Sequence, residues 1–317
     1  MRILLLGGTD LTQAVADTLV ELAMPPVGVV FLEKTLSISI RPQGMENRRH
    51  TDMPGWCRCH GVPASSYRGV DALMAFSREV SAEFCLAAGW YYFLPARVRD
   101  LYPKGCAGLH ASLLPQLRGS APLNWAILTG LDKTGISLFQ LTEGMDEGPL
   151  LGQKVIPIPD GAYVGDLLPL VEQGAKELLQ ICLPRVRDET LVPMPQQGKV
   201  SYGLQRNPED GCILWDRPAR EIACLIRAVS RPYPGALTSL EGERITVWRG
   251  SEAKDAPRVW GRPGQILHLS GYDVPLVVTG EGLLRLEEAE RAGHGDALPW
   301  LKTRNQWRFS AVFPSCQ

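Results

Sequence analysis

The chain has 317 residues, enough for two domains or one large α/β domain. Its 45% hydrophobic and 21% charged residues are ordinary globular values. A net charge of −1 excludes a whole-molecule electrostatic case for a nucleic-acid or membrane partner and leaves open only a local basic patch.

The opening run, Met1-Arg-Ile-Leu-Leu-Leu-Gly-Gly8, is too short for a signal peptide and lacks a cleavage site. No run approaches ~20 apolar residues, so no membrane span is expected. Eight cysteines (Cys57, Cys59, Cys85, Cys106, Cys182, Cys212, Cys224 and Cys316) show no repeating spacing. Cys57-Arg-Cys59-His60 is the one cluster of metal-ligand types. No second ligand pair follows at finger-like spacing, so no metal is expected. The cysteines read as packed thiols of a reduced, cytoplasmic protein.

In chain order, residues 2–6 form a continuous apolar run, the pattern of a buried parallel strand, stopped by Gly7-Gly8. Thr9 or Asp10 caps a helix over 11–22, Pro25-Pro26 closes the unit, and 27–32 is a second strand. Strand, glycine turn, helix and strand make a doubly wound opening. A third glycine for a dinucleotide fingerprint is absent, because Leu11 and Thr12 stand in its place. Glu33 at the end of the second strand is weak support on its own, so a plain tight turn without NAD is expected.

Residues 33–60 are less regular and hold Lys34, Arg41, Arg48, Arg49 and His50 among few acids. Two readings stand: a flexible basic loop, or a substrate-binding loop. Helices are predicted over 53–60, ending at Gly61, and over 66–77. A strand over 83–90 leads into Tyr91-Tyr92-Phe93-Leu94-Pro95, which either paves a pocket for a flat ligand or packs as core. A helix over 96–101 precedes a short strand over 106–109, which delivers His110 at its C-terminal end, where open α/β sheets place ligands.

A loop over 115–119, a helix over 122–129, strands over 135–141 and 150–158 and a turn over 143–149 follow. An amphipathic helix covers 166–184. Pro, Gln, Gly and Asn enrich 192–210, read as a linker. Beyond it come a helix over 219–228 and short β-patterned runs at 236–239, 244–248, 264–268, 275–279 and 283–287, the spacing of a small barrel.

His110 and Asp146, held by loops beside apolar strands, could form an acid/base pair. The surrounding residues carry a specific resemblance. His110-Ala-Ser-Leu-Leu-Pro-Gln-Leu-Arg-Gly119, Ala121-Pro-Leu-Asn-Trp-Ala126, Thr134-Gly-Ile-Ser137 and Gly144-Met-Asp-Glu-Gly148 resemble the 10-formyltetrahydrofolate-dependent formyltransferases. Trp215, Pro218-Ala219, Ile226-Arg-Ala-Val229, Pro232-Tyr-Pro-Gly-Ala236 and Thr246-Val-Trp248 look like the C-terminal module of the tRNA and amino-sugar branches.

The resemblance implies an α/β protein: a Rossmann-like formyltransferase domain over 1–195, a linker over 196–210 and an OB-like β-barrel domain over 211–317. It implies His110 and Asp146 as catalytic residues. It places folate against Trp90, Tyr91, Phe93, Leu94, Leu141, Glu143, Gly144, Met145 and Glu147. The acceptor falls near Ser112, Leu113, Leu114, Pro115 and Arg118, although Arg118 and Ser112 also suit loop-bracing roles.

One position departs from the family. Its pattern is Asn-x-His, and here Gly108-Leu109-His110 stands instead. Losing one oxyanion donor typically costs ~10²–10³ in rate. Three readings follow: another group replaces the donor, the substrate needs the room, or ordinary formyl transfer has been lost. The implied function is formyl transfer from 10-formyltetrahydrofolate to a small-molecule primary amine, an amino sugar or natural-product intermediate. A methionyl-tRNA formyltransferase is the alternative; against it, residues 33–50 lack the Gly-Arg-Gly-Lys-Lys type of run and the pI is near 6.5. A formyl-folate hydrolase and a non-catalytic folate-binding protein are the further alternatives that Gly108 raises.

Overall fold

In a computed structural model of the chain, the structure describes residues 1–38 and 41–310. The elements are β1 (Ile3–Gly7), α1 (Asp10–Glu21), β2 (Gly28–Phe31), β3 (Thr35–Ile38), β4 (Arg41–Glu46), α2 (Met53–His60), β5 (Ala64–Ser66) and α3 (Val70–Glu79). Then come β6 (Phe84–Ala88), α4 (Ala96–Arg99), β7 (Cys106–His110), β8 (Arg118–Gly119), α5 (Pro122–Leu128), β9 (Lys133–Gln140), β10 (Leu150–Pro157) and α6 (Val164–Arg187). The remainder is β11 (Tyr202–Gly203), α7 (Ala219–Val229), β12 (Ala236–Leu240), β13 (Glu243–Glu252), β14 (Ile266–Leu267), β15 (Leu276–Val278), β16 (Leu283–Arg291), β17 (Gly295–Asp296) and α8 (Leu298–Lys302).

The chain divides into two compact units. The first comprises Met1–Pro122, Lys133–Pro157 and Leu168–Gly203. The second comprises Leu123–Asp132, Ile158–Leu167 and the chain from Leu204 onward.

A seven-stranded sheet in the order β10-β9-β7-β6-β1-β2-β5 organises the first unit. From β5 to β7 the pairing is parallel, and β9 and β10 add antiparallel strands at one side. Ile3, Leu4, Leu5 and Leu6 are fully buried, as the unbroken apolar run requires of a central strand covered on both faces. Each such side chain contributes roughly 1.5–3 kcal/mol by leaving water. The arrangement is Rossmann-like, as the sequence predicts.

The glycine turn after β1 is closed by protein. Thr12 donates its hydroxyl to Ala88 O (2.6 Å) and accepts from Thr9 N (3.0 Å), tying the start of α1 to the end of β6. A Cβ on Gly7 would meet Ala88 O and Thr12. Close backbone approach thus accounts for this glycine without a phosphate.

Helix α2 has the predicted bounds. Asp52 accepts from Gly55 N (2.8 Å) at its start, and Gly61 ends it in the left-handed region at φ 65°. The described residues of the stretch over 33–50 include two paired strands. These form the hairpin β3–β4, and cations of the stretch are paired: Lys34 and Arg48 both reach Glu46, while Arg49 reaches Asp10 and Glu172. The side chain of Arg41 lies outside the described residues.

The stretch read as a linker lies against the first unit as far as Gly203. Met194 and Leu150 exchange backbone hydrogen bonds, and β11 pairs in parallel with β8. The second unit holds a separate antiparallel sheet, β12-β13-β16-β15-β14, with β17 on β16. Residues 306–310 bond to Ile266 and Gly264 on one side and, through Ser310, to Ser239 on the other. Helix α7 packs on β13. No helix among the described residues is long and apolar enough to cross a membrane.

Candidate active site

Strand β7 sits between β6 and β9. Its alternation puts Cys106, Gly108 and His110 on one face. His110 is buried, and its Nε2 lies 2.7 Å from Leu117 O. A carbonyl only accepts, so Nε2 carries the hydrogen and a neutral ring presents a bare Nδ1. That Nδ1 is 3.5 Å from Asp146 Oδ2. Two acceptors face each other across a gap that a proton on Nδ1 would bridge. The ring also stands perpendicular to Phe139, with centroids 6.5 Å apart.

The turn carrying Asp146 doubles back over the same face. Leu141 N donates to Cys106 O (2.8 Å), and the chain then returns to bring Asp146 to His110. Asp146 adopts φ 51°, a left-handed conformation uncommon outside glycine that Asp tolerates better than most side chains. Leu117 (φ 55°) and Ala121 (φ 52°) share it. Strain of this kind persists where surrounding contacts over-determine it. Here Gly119 N donates to Asp146 Oδ2 (2.7 Å), and Gln196 Nε2 donates to Asp146 O (2.7 Å) and Gly148 O (2.8 Å). A Cβ on Gly148 would collide with Gln140 O.

The room beside Gly108 is filled by hydrocarbon. A Cβ there would lie 2.9 Å from Leu141 Cδ2 and 3.2 Å from Phe139 Cε1. Asn124 belongs to the second unit, where its amide donates to Ala228 O (2.6 Å).

The residues expected near the acceptor surround His110 as a braced loop. Ser112 Oγ donates to Gln116 O (2.6 Å), and Ser137 Oγ donates to Ser112 O (2.6 Å). Leu114 is buried with Phe139 and Leu150, Pro115 is buried, and Leu113 packs over Gly135. Arg118 is buried, and its Nε and Nη2 both donate to Gln196 Oε1.

The residues expected at the folate divide by side. Leu94 is core and Trp90 packs against that core, edge-on to Tyr67 at 4.8 Å. Tyr91 and Phe93 alternate outward, Phe93 with 59% of its surface exposed. On the Asp146 turn, Leu141 is half-buried, Gly144 is partly buried, and Glu143, Met145 and Glu147 are exposed. Tyr91, Phe93 and Met145 are the exposed apolar members of the two groups.

Among the described residues no group of three or more His, Cys, Asp or Glu side chains is arranged to hold a metal ion. Sequence reasoning missed three contributors to this site: the Leu117 carbonyl, the Gly119 N–H and Gln196. The first two are backbone groups inside the motif. Gln196 had no local signal.

Comparison with known proteins bears on the whole chain. Residues 1–180 match the family model described as formyl transferase, and residues 206–300 match formyl transferase, C-terminal domain. Methionyl-tRNA formyltransferase of Pelobacter propionicus is 31% identical over 268 residues, 82% of each chain. An N-formyltransferase from Helicobacter canadensis, solved with folinic acid and dTDP-3-aminofucose, is similar with a TM-score of 0.65 at 12% identity, over 90% of this chain and 98% of that one. HypX from Aquifex aeolicus, solved with tetrahydrofolic acid, gives 0.62 at 17% identity over 92% of this chain; the match spans 44% of HypX. These two likenesses bear on the fold. With both family models matched and the Pelobacter relative aligned over most of its length, the chain belongs to the formyl transferase family.

Proposed function

We propose that the chain moves a formyl group from 10-formyltetrahydrofolate to the primary amine of a small molecule, an amino sugar or natural-product intermediate. The observation that carries this reading is the His110–Asp146 pair, with Nε2–H committed to Leu117 O and Nδ1 turned to the carboxylate. The donor supplies an activated formyl carbon. His110 takes a proton at Nδ1 as the amine attacks, Asp146 stabilises that proton, and the proton then passes toward the leaving nitrogen. Tyr91, Phe93, Met145 and the exposed Asp146 turn supply the wall for the donor, and loop 112–118 shapes the acceptor side. Absence of NAD and metal chemistry is part of the same reading, as is a cytoplasmic location.

The choice of a small amine rests on charge. The pI is near 6.5, Arg49 is held by both Asp10 and Glu172, and Glu46 offsets part of the charge of Lys34 and Arg48, which share it. A second reading, methionyl-tRNA formyltransferase, is favoured by the 31% identity to a relative of that name. A third, hydrolysis of formyl-folate or folate binding alone, is favoured by the apolar filling beside Gly108.

The test incubates the purified chain with 10-formyltetrahydrofolate alone, with an amino-sugar panel and with methionyl initiator tRNA, reading tetrahydrofolate release and formylated product. Formylated amine with the panel supports the proposal. Formylated tRNA supports the second reading, and release without any amine supports hydrolysis. Binding of the donor with no turnover makes the chain a folate-binding protein.

A further inference from the structure

We infer that Gln196 is a positioning residue that, paired with Arg118, holds the Asp146 turn against His110. The inference rests on the reading of His110 and Asp146 as the reacting pair. It concerns a residue from the stretch whose composition suggested only a linker.

The amide of Gln196 is used in full. Nε2 donates to Asp146 O (2.7 Å) and Gly148 O (2.8 Å), and Oε1 accepts from Arg118 Nε (3.1 Å) and Nη2 (2.8 Å). The orientation is chemically determined. A guanidinium has only donors, so the oxygen must face Arg118 and the NH₂ must face the two carbonyls. Asp and Glu cannot donate to those carbonyls, and Lys and Arg cannot accept from Arg118. Of the flexible side chains long enough to span the gap, Gln alone satisfies both ends.

Gly119 N holds the carboxylate of Asp146, and the Gln196 amide holds its backbone. Asp146 is a non-glycine residue at φ 51° in an otherwise exposed turn, and its carboxylate stands 3.5 Å from His110, too far for a hydrogen bond to hold it there. The segment bearing Gln196 also braces the other side of His110. Ser201 Oγ accepts from Leu117 N (2.9 Å), Ser201 O accepts from Arg118 N (2.9 Å), and Gly203 O accepts from Ser120 N (2.7 Å). Leu117 supplies the carbonyl that sets the His110 tautomer, and Gly119 supplies the N–H that holds the Asp146 carboxylate. One strap, 194–203, thus bridges the two loops that orient the pair, and Gln196 is its contact to the acidic one.

Two variants separate positioning from bulk stability. Gln196→Glu keeps an acceptor for Arg118 and sets a carboxylate against two carbonyls. Gln196→Met keeps the length and loses every bond. Hydrogen exchange on the ligand-free chain is expected to rise at the Gly119 amide and over 142–149 in both variants, with the strands of the sheet still protected. In Gln196→Glu, kcat is expected to fall by about 10²-fold with KM for 10-formyltetrahydrofolate little changed, the signature of a misplaced reacting group in an intact binding site. Unchanged exchange at Gly119 and 142–149 in both variants would overturn the inference, as would wild-type kcat in a chain whose turn has loosened. A wild-type chain that moves no formyl group overturns the reaction and leaves the exchange pattern to decide the positioning.

Discussion

Replacing Gly108 by Asn installs the side chain that the sequence resemblance implies at this position. The new Cβ would lie 2.9 Å from Leu141 Cδ2 and 3.2 Å from Phe139 Cε1. Phe139 is 2% exposed and wedged with Leu114 and Leu150, so it yields little. Leu141 is half-buried, and the contact is the end of a flexible side chain, so it yields first. Overpacking of this kind costs about 1–3 kcal/mol. That lowers the melting temperature by roughly 2–4 °C per kcal/mol in a unit of this size. Against this, a working oxyanion donor contributes ~10²–10³ in rate, roughly 2.7–4 kcal/mol of transition-state stabilisation. Gly108→Asn alone is therefore expected to be less stable and to gain only part of that rate, because the amide must share its space with Leu141. Adding Leu141→Ala clears the roof and is expected to yield the rest. Tetrahydrofolate release with a standard amine, beside thermal melting, reads both quantities. The reasoning is refuted if Gly108→Asn melts like the wild type, or if the double variant is no faster than Leu141→Ala.

Other outcomes follow from single contacts. His110→Ala is expected to lower turnover by ~10²–10⁴ with the fold retained, and near-full activity would remove His110 from the chemistry. Thr12→Val leaves Thr9 N–H and Ala88 O buried without their partner and is expected to cost roughly 1–3 kcal/mol in urea denaturation, whereas a wild-type midpoint would show that the turn repacks. Burial pushes the Cys57 thiol up to about 11; Arg58 pulls the other way and Asp52 adds to the rise. Folding thus favours the neutral thiol. Its contribution to stability is complete below pH 9, the ordinary thiol value, and is lost as pH rises through about 11. Stability measured between pH 9 and 11 is expected to fall, less steeply in Cys57→Ala. At pH 8 an alkylating reagent is expected to modify exposed Cys59 and spare Cys57 in the folded chain.

Much of the fold was legible because its signals are local. The apolar run before Gly7-Gly8, the helix α2 ending at Gly61, and the strand ending on His110 each follow from neighbouring residues. The β-patterned runs after residue 236 appear as strands close to their predicted bounds. Most of the missed elements depend on partners far along the chain. Strand β5, a short and partly exposed Ala-Ser-Ser, exists because β2 offers a free edge. Strand β3 does alternate, as Thr35-Leu36-Ser37-Ile38, but its partner β4, Arg-Pro-Gln-Gly-Met-Glu, does not, and β8 and β11 are two residues each, paired across more than 80 positions.

The same division runs through the site. The amino-acid sequence by itself determined which chemistry is present: one His and one Asp at the ends of apolar strands, and a glycine where a donor would stand. Only the tertiary structure decided how they are used. It committed Nε2 of His110 to Leu117, roofed Gly108 with Leu141 and Phe139, paired Arg49 with Asp10 and Glu172, and brought Gln196 from beyond α6 to the Asp146 turn. Residue types fix what a side chain can donate, accept or titrate. Which of those capacities remains available is set by contacts between residues far apart in the chain, and no local pattern encodes them.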